Sequence, residues 1–159
     1  MSKKTISASK NKLDDLFTYI KELRKLNNFE LESQWATYLC IRVSGFLETS
    51  IRSIYIEYCS DKSHPNISKY VASNLESNRS QNMKPENILS LAMAFNEDWK
   101  RKLEIYMSED GRKEAIESVI NIRNSAAHGG NMSVSYARVD DYYEKIWEVI
   151  QFIIELCEK

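Results

Sequence analysis

Arg123 and His128, five residues apart in Arg123-Asn124-Ser125-Ala126-Ala127-His128, are the two side chains of this sequence best suited to catalysis. An imidazole exchanges a proton near neutral pH, with an ordinary pKa of about 6.5. A guanidinium grips a phosphate through parallel N–H donors and stabilises negative charge that builds up on it. As a pair they suit phosphodiester chemistry. The spacing alone is a weak pattern, so its surroundings must decide.

Ile116, Val119 and Ile120 precede Arg123 by seven, four and three residues, which puts the arginine on the apolar stripe of its own helix. A guanidinium there must snorkel, pair with a carboxylate or line a cleft, because it is costly to bury unpaired. Glu48 and Glu117 are conceivable partners for a purely structural ion pair. Asn124 lies four residues before His128, so on an unbroken helix its amide neighbours the ring and can fix its orientation and tautomer. The helix dipole favours a protonated ring in the last turn. Ser125, Ala126 and Ala127 are small enough for a phosphate backbone or a second subunit to come close. The competing reading is a C-terminal capping histidine beside a tight helix contact.

Long helices must position this segment, because only four glycines and two prolines punctuate 159 residues. Residues 1–10 read as a flexible polar tail and residues 11–159 as one domain. A first amphipathic helix is expected over Leu13 to Leu26, with Leu13, Leu16, Phe17, Ile20, Leu23 and Leu26 on one face. The next, from about Leu31 to Tyr58, is apolar nearly all round between Trp35 and Leu47. Such a helix belongs at the centre of a bundle or in a subunit interface. A polar helix near Ile67 to Glu76 and a Ser/Asn-rich loop from Ser77 to Lys84 follow. Pro85 then opens a helix whose pattern continues unevenly to Tyr106, and Asp110-Gly111 breaks it. Another helix runs from about Arg112 into the Arg123–His128 segment, where Gly129-Gly130 stops it. The last helix, capped by Ser135, repeats Val139, Tyr142, Tyr143, Ile146, Val149, Ile150 and Ile153 at helical steps. The expected fold is all-α, a single-domain antiparallel bundle of about five to six helices.

Composition narrows the function. With 22 Lys+Arg against 23 Asp+Glu the chain is near neutral, so any RNA contact is confined to a local patch. Cys40, Cys59 and Cys157 are odd in number and form no CxxC pair; each packs as a free thiol, which suggests a reducing compartment. The N-terminus lacks a signal-peptide pattern, and no apolar run is long enough to span a bilayer. A cytoplasmic protein with no membrane contact is expected. P-loop, GxGxxG and GxSxG patterns are absent, and two histidines without clustered cysteines give poor support for zinc; neither metal nor cofactor is expected.

The segment Arg123 to Gly129 resembles the R-x(4–6)-H motif of the HEPN superfamily (higher eukaryotes and prokaryotes nucleotide-binding domains), including the polar residue after the arginine. Trp35-Ala36-Thr37-Tyr38-Leu39 and Ser44-Gly45-Phe46-Leu47-Glu48 resemble the long second helix of the RiboL-PSP-HEPN branch. Lys84 to Leu89, Trp99 and the closing helix fit the same layout. The resemblance covers nearly the whole chain from about Leu13. It implies a metal-independent endoribonuclease acting as a homodimer, with two copies of the motif facing each other in one composite site. It also implies a toxin or phage-defence effector, with an antitoxin or inhibitor protein as a partner. On this resemblance His128 is the general base or acid, Arg123 binds the scissile phosphate, and Asn124 positions the histidine. RNA would be cut by 2′-OH attack, leaving 2′,3′-cyclic phosphate and 5′-OH ends. Ser125 would assist in substrate binding and Glu48 would orient Arg123. Lys102, within the basic run Lys100, Arg101, Lys102, Arg112 and Lys113, would guide RNA, although such a run is ordinarily a solvated face. His64 reads as an exposed loop residue, and Tyr142 and Tyr143 as core. The alternative is a non-catalytic HEPN module that binds nucleotide, RNA or protein.

Overall fold

The computed structural model describes residues 2–78, 81–130 and 132–159, leaving out the side chains of Ser2 and Leu26. The expectation for Leu26 on the first apolar face therefore lies outside the described side chains. The described residues form seven α-helices and no strand. Helix α1 (Ser2–Leu23) continues into one 3₁₀ turn, Arg24–Leu26, and Asn27 reverses the chain in a left-handed conformation (φ 51°). The helix starts at Ser2 rather than near Leu13. Ile6, seven residues before Leu13, is itself buried and extends the apolar stripe of the helix backwards through the polar tail. A sequence window beginning at Leu13 sees no such periodicity.

Helix α2 (Phe29–Lys62) has 34 residues, a length of about 50 Å. The Asn28 side chain caps it by accepting from the Leu31 N–H at 3.1 Å. It packs against α1, α3, α6 and α7, which explains why its sequence is apolar on so many sides. Leu39, Val43, Leu47, Ile51 and Tyr55 are fully buried along it. The closing helix α7 (Tyr136–Glu158) supplies the facing layer of Val139, Ile146, Val149, Ile150 and Ile153. Side-chain pairings give the directions. Lys3 meets Glu158, the Tyr143 hydroxyl donates to Asp14 at 2.7 Å, and the Tyr136 hydroxyl donates to the Phe17 carbonyl at 3.2 Å, so α1 and α7 are antiparallel. Phe46, midway along α2, contacts Tyr143 and Trp147, which lie no further than midway along α7, with ring centroids about 6 Å apart. Ile54 and Tyr58 share a pocket with Ile154 and Cys157 near both ends, so α2 and α7 run the same way. Tyr143 is core, as its spacing predicts, stacked on Phe17 at 4.7 Å. Tyr142 is half-buried beside it.

Helix α3 (Pro65–Ser77) buries no residue and lies along α2 alone among the strongly packed pairs. Exposed His64 is its N-cap, Nδ1 accepting from the Asn66 N–H at 3.2 Å. The pattern expected to continue unevenly from Pro85 to Tyr106 is two helices, α4 (Pro85–Phe95) and α5 (Glu97–Ser108). Asn96 divides them. Its extended backbone ends one helix, and its side chain accepts from Asp98 and Trp99 N–H at 2.8 and 3.3 Å to start the next. Asp110 (φ 55°) and Gly111 (φ 71°) then turn the chain into α6 (Arg112–Ala127). Ser135 caps α7 through the Arg138 N–H at 3.3 Å. No described helix is long and apolar enough to cross a membrane.

Candidate active site

Helix α6 carries Arg123 in its last turns, and His128 directly follows its last residue, Ala127. The Gly129 N–H reaches the Ala126 carbonyl at 3.2 Å, the Gly130 N–H reaches Ser125 at 2.8 Å, and Gly129 sits at φ 73°. This pairing is the Schellman arrangement, and it makes His128 the C-cap residue. The imidazole is exposed at the helix end. A side chain on Gly130 would place its Cβ 2.4 Å from Ser125 Oγ, so the second glycine is needed as well. Ser125 is thereby packed against its own turn rather than left as an open hydroxyl.

Arg123 is anchored. Its Nη1 donates a short hydrogen bond to Asn82 Oδ1, and the same nitrogen lies 3.8 Å from Glu48 Oε1. Glu48 is buried on α2, and its other carboxylate oxygen is 3.9 Å from Arg52 Nη1. Glu48 Oε1 accepts no hydrogen bond. Two guanidinium groups thus neutralise one buried carboxylate through long, chiefly Coulombic contacts. The loop after α3 is drawn into the same network. Arg52 Nη2 donates to the carbonyls of Asn78 and Gln81 at 3.4 and 3.3 Å, and Asn87 Nδ2 donates to the Asn82 carbonyl at 2.7 Å. The Arg123 side chain retains 36% exposure, so part of its donor fork still faces outward.

Of the two conceivable carboxylate partners, Glu48 rather than Glu117 lies beside Arg123. It does not bring Arg123 to His128. Five helical residues turn about 140° and rise about 7.5 Å, which places the pair on different faces of one helix. Asn124 offers His128 its backbone carbonyl (N···O 3.2 Å), and no hydrogen bond joins its amide to the ring. Lys102 is on α5, held by Asp98 at 2.5 Å. Hydrogen bonds from Lys102 and then Arg101 keep the Asp98 carboxyl below its ordinary range. Lys100 pairs with Glu104 at 2.5 Å, and Arg112 with Glu148 at 2.7 Å. This basic run is mostly neutralised by its own neighbours. Asn82 and Arg52 were not legible as parts of the site. The only signal for Asn82 is its place in an Asn-rich loop just before Pro85.

A groove of about 360 Å³ opens beside the helix end. Gln34 and Thr37 of α2 form one wall, and Ile122 and Ala126 of α6 the other. Gly130 and Met132 form its rim, and a Ser33–Ser133 hydroxyl contact of 3.3 Å closes one end. The thiols take no part in any of this. Burial pushes Cys40 up to about 12 and Cys157 up to about 11, and all three cysteines are free. Among the described residues no three His, Cys, Asp or Glu side chains are grouped to hold a metal ion.

The sequence model of the RiboL-PSP-HEPN family matches residues 7–159. No curated protein and no solved structure matches the chain.

Proposed function

This chain belongs to the RiboL-PSP-HEPN family, and on that premise we propose that it is a metal-independent endoribonuclease whose site is completed by a second copy of the chain. One observation carries the reading. Arg123 is held in a charged and amide-lined recess with part of its fork exposed, while His128 on the same helix stands free on another face. A single chain offers a phosphate grip and a proton carrier that do not meet. Two chains docked at their α6 ends would bring two of each together.

In that arrangement His128 of one chain takes the proton of the ribose 2′-OH as its oxygen attacks phosphorus. The P–O5′ bond breaks, and the partner's histidine protonates the departing 5′-oxygen. Arg123 binds the scissile phosphate and stabilises the extra charge of the pentavalent transition state. Asn124 supports His128 from one turn earlier through its carbonyl, and Glu48 orients Arg123. Ser125 keeps the turn compact, and Lys102 is a weak contributor to RNA approach. The products are a 2′,3′-cyclic phosphate and a 5′-OH. The same reading makes the protein a cytoplasmic toxin or phage-defence effector, restrained by an antitoxin or inhibitor protein. The test is cleavage of RNA in excess EDTA with end-group analysis. Loss of cleavage in EDTA, or 3′-OH ends, overturns the mechanism.

The Glu48–Arg123–Asn82 network favours one second reading, in which Arg123 is a structural residue and the domain binds nucleotide, RNA or protein without cutting. Tight RNA binding with no turnover by the purified dimer would establish it.

A further inference from the structure

We infer that the groove between α2 and α6 is a nucleobase subsite, taking the base next to the scissile phosphate and setting the sequence preference of cleavage. The inference rests on the ribonuclease reading above. Its first support is chemical. Among the described residues no Lys, Arg, Asp or Glu lines the groove, so it carries no charge with which to favour a phosphate or a cation. Ile122, Ala126 and the half-exposed Met132 give a flat apolar body suited to the face of a ring. The edges are polar. Gln34 is exposed and its amide is bonded to no described residue, so it presents a donor and an acceptor together. Thr37 donates to the Ser33 carbonyl at 3.0 Å and keeps its acceptor lone pairs.

The second support is position. Ala126 and Gly130 both line the groove, two residues to either side of His128. The groove and the exposed His128 thus share the C-terminal end of α6, and a nucleotide bound at that end can lay its base in the groove. Gly130 also keeps this rim low, because any side chain there would collide with Ser125.

The test has two arms. With methyl-labelled methionine, the Met132 signal (assigned by Met132→Leu) should shift on addition of a nucleoside monophosphate and stay still with ribose 5-phosphate, which carries no base. No shift with any of the four nucleotides, or an equal shift with ribose 5-phosphate, overturns the proposal. So does a signal that follows protein concentration alone, since a second copy would then fill the groove. In the second arm, Gln34→Ala should flatten the base preference next to the cut site by about tenfold, read as the ratio of cleavage rates among the four bases. An unchanged preference overturns it. If the wild type cuts no RNA, the ribonuclease reading fails and the nucleotide arm still decides the groove.

Discussion

The two ends of the last turns of α6 differ in how completely they are specified. Arg123 is fixed by residues from two segments: Glu48 of α2 and Asn82 of the loop before α4, with Arg52 of α2 holding both Glu48 and the backbone of that loop. His128, five residues on, is fixed only by its own backbone turn, with its ring unengaged. The difference is that between a group whose geometry is set during folding and one whose geometry must be set by something outside the chain. A phosphate grip benefits from the first, because misplaced charge costs rate steeply. A proton carrier left open is what a composite site would need, since substrate and partner subunit can both approach it.

The sharpest way to break the comparison is His128→Ala. It should lower cleavage by about 10³-fold, the usual worth of a general acid–base group, and leave thermal stability unchanged because the ring supports nothing. A melting temperature that drops with activity would mean that the ring is structural after all. Arg123→Ala should differ in kind. Activity should fall by about 10²- to 10³-fold. Stability should fall as well, by about 1–2 kcal/mol, because Glu48 keeps only the distant Arg52 as a cation; the partial exposure of Arg123 moderates the usual cost of a broken buried pair. For a chain of this size that is about 5 °C in Tm. Equal melting curves for the two variants would erase the distinction drawn between the two ends.

Asn82 tests whether the anchoring matters for chemistry or only for folding. Asn82→Ala should lower kcat by about tenfold with little change in KM, since the phosphate still finds the charge without its proper direction. Asn82→Asp keeps an oxygen acceptor for Arg123 and should restore most of the rate. A loss that the aspartate does not rescue, or one seen only in Tm, would make Asn82 a loop residue alone.

These expectations also show which parts of the molecule were readable in advance. The Schellman end of α6 was legible because Gly129-Gly130 states it locally, and the central place of α2 because its apolar residues wrap the helix. The same local logic could have found Asn96, an asparagine followed by Glu97 and Asp98, but an apolar rhythm running from Leu91 through Trp99 masked it. Ile6 was lost among lysines and serines, because one buried residue per two turns makes no visible stripe. Arg123's anchor could not be read at all. Asn82 is 41 residues away, and nothing in an Asn-rich loop says which of its amides will meet a guanidinium. The groove was hidden for the same reason: its walls come from helices far apart in sequence, and its residues are individually ordinary.

The smallest expected effect is the one that decides whether the open end of α6 is completed by a second chain. Wild-type and His128→Ala chains, co-refolded in equal amounts so that they pair at random, would form about one quarter wild-type pairs, one half mixed pairs and one quarter inactive pairs. If each chain carried a whole site, about half of the activity would remain, because mixed pairs would keep one working site. If cleavage needs two histidines, one as base and one as acid, mixed pairs are silent and about one quarter remains. The difference is only twofold, yet it follows from counting rather than from any assumed rate. A result of one half would mean that a single histidine serves each site, as base and acid in turn, whichever chain supplies the arginine. A result of one quarter ties the freedom of His128 to the subunit it faces.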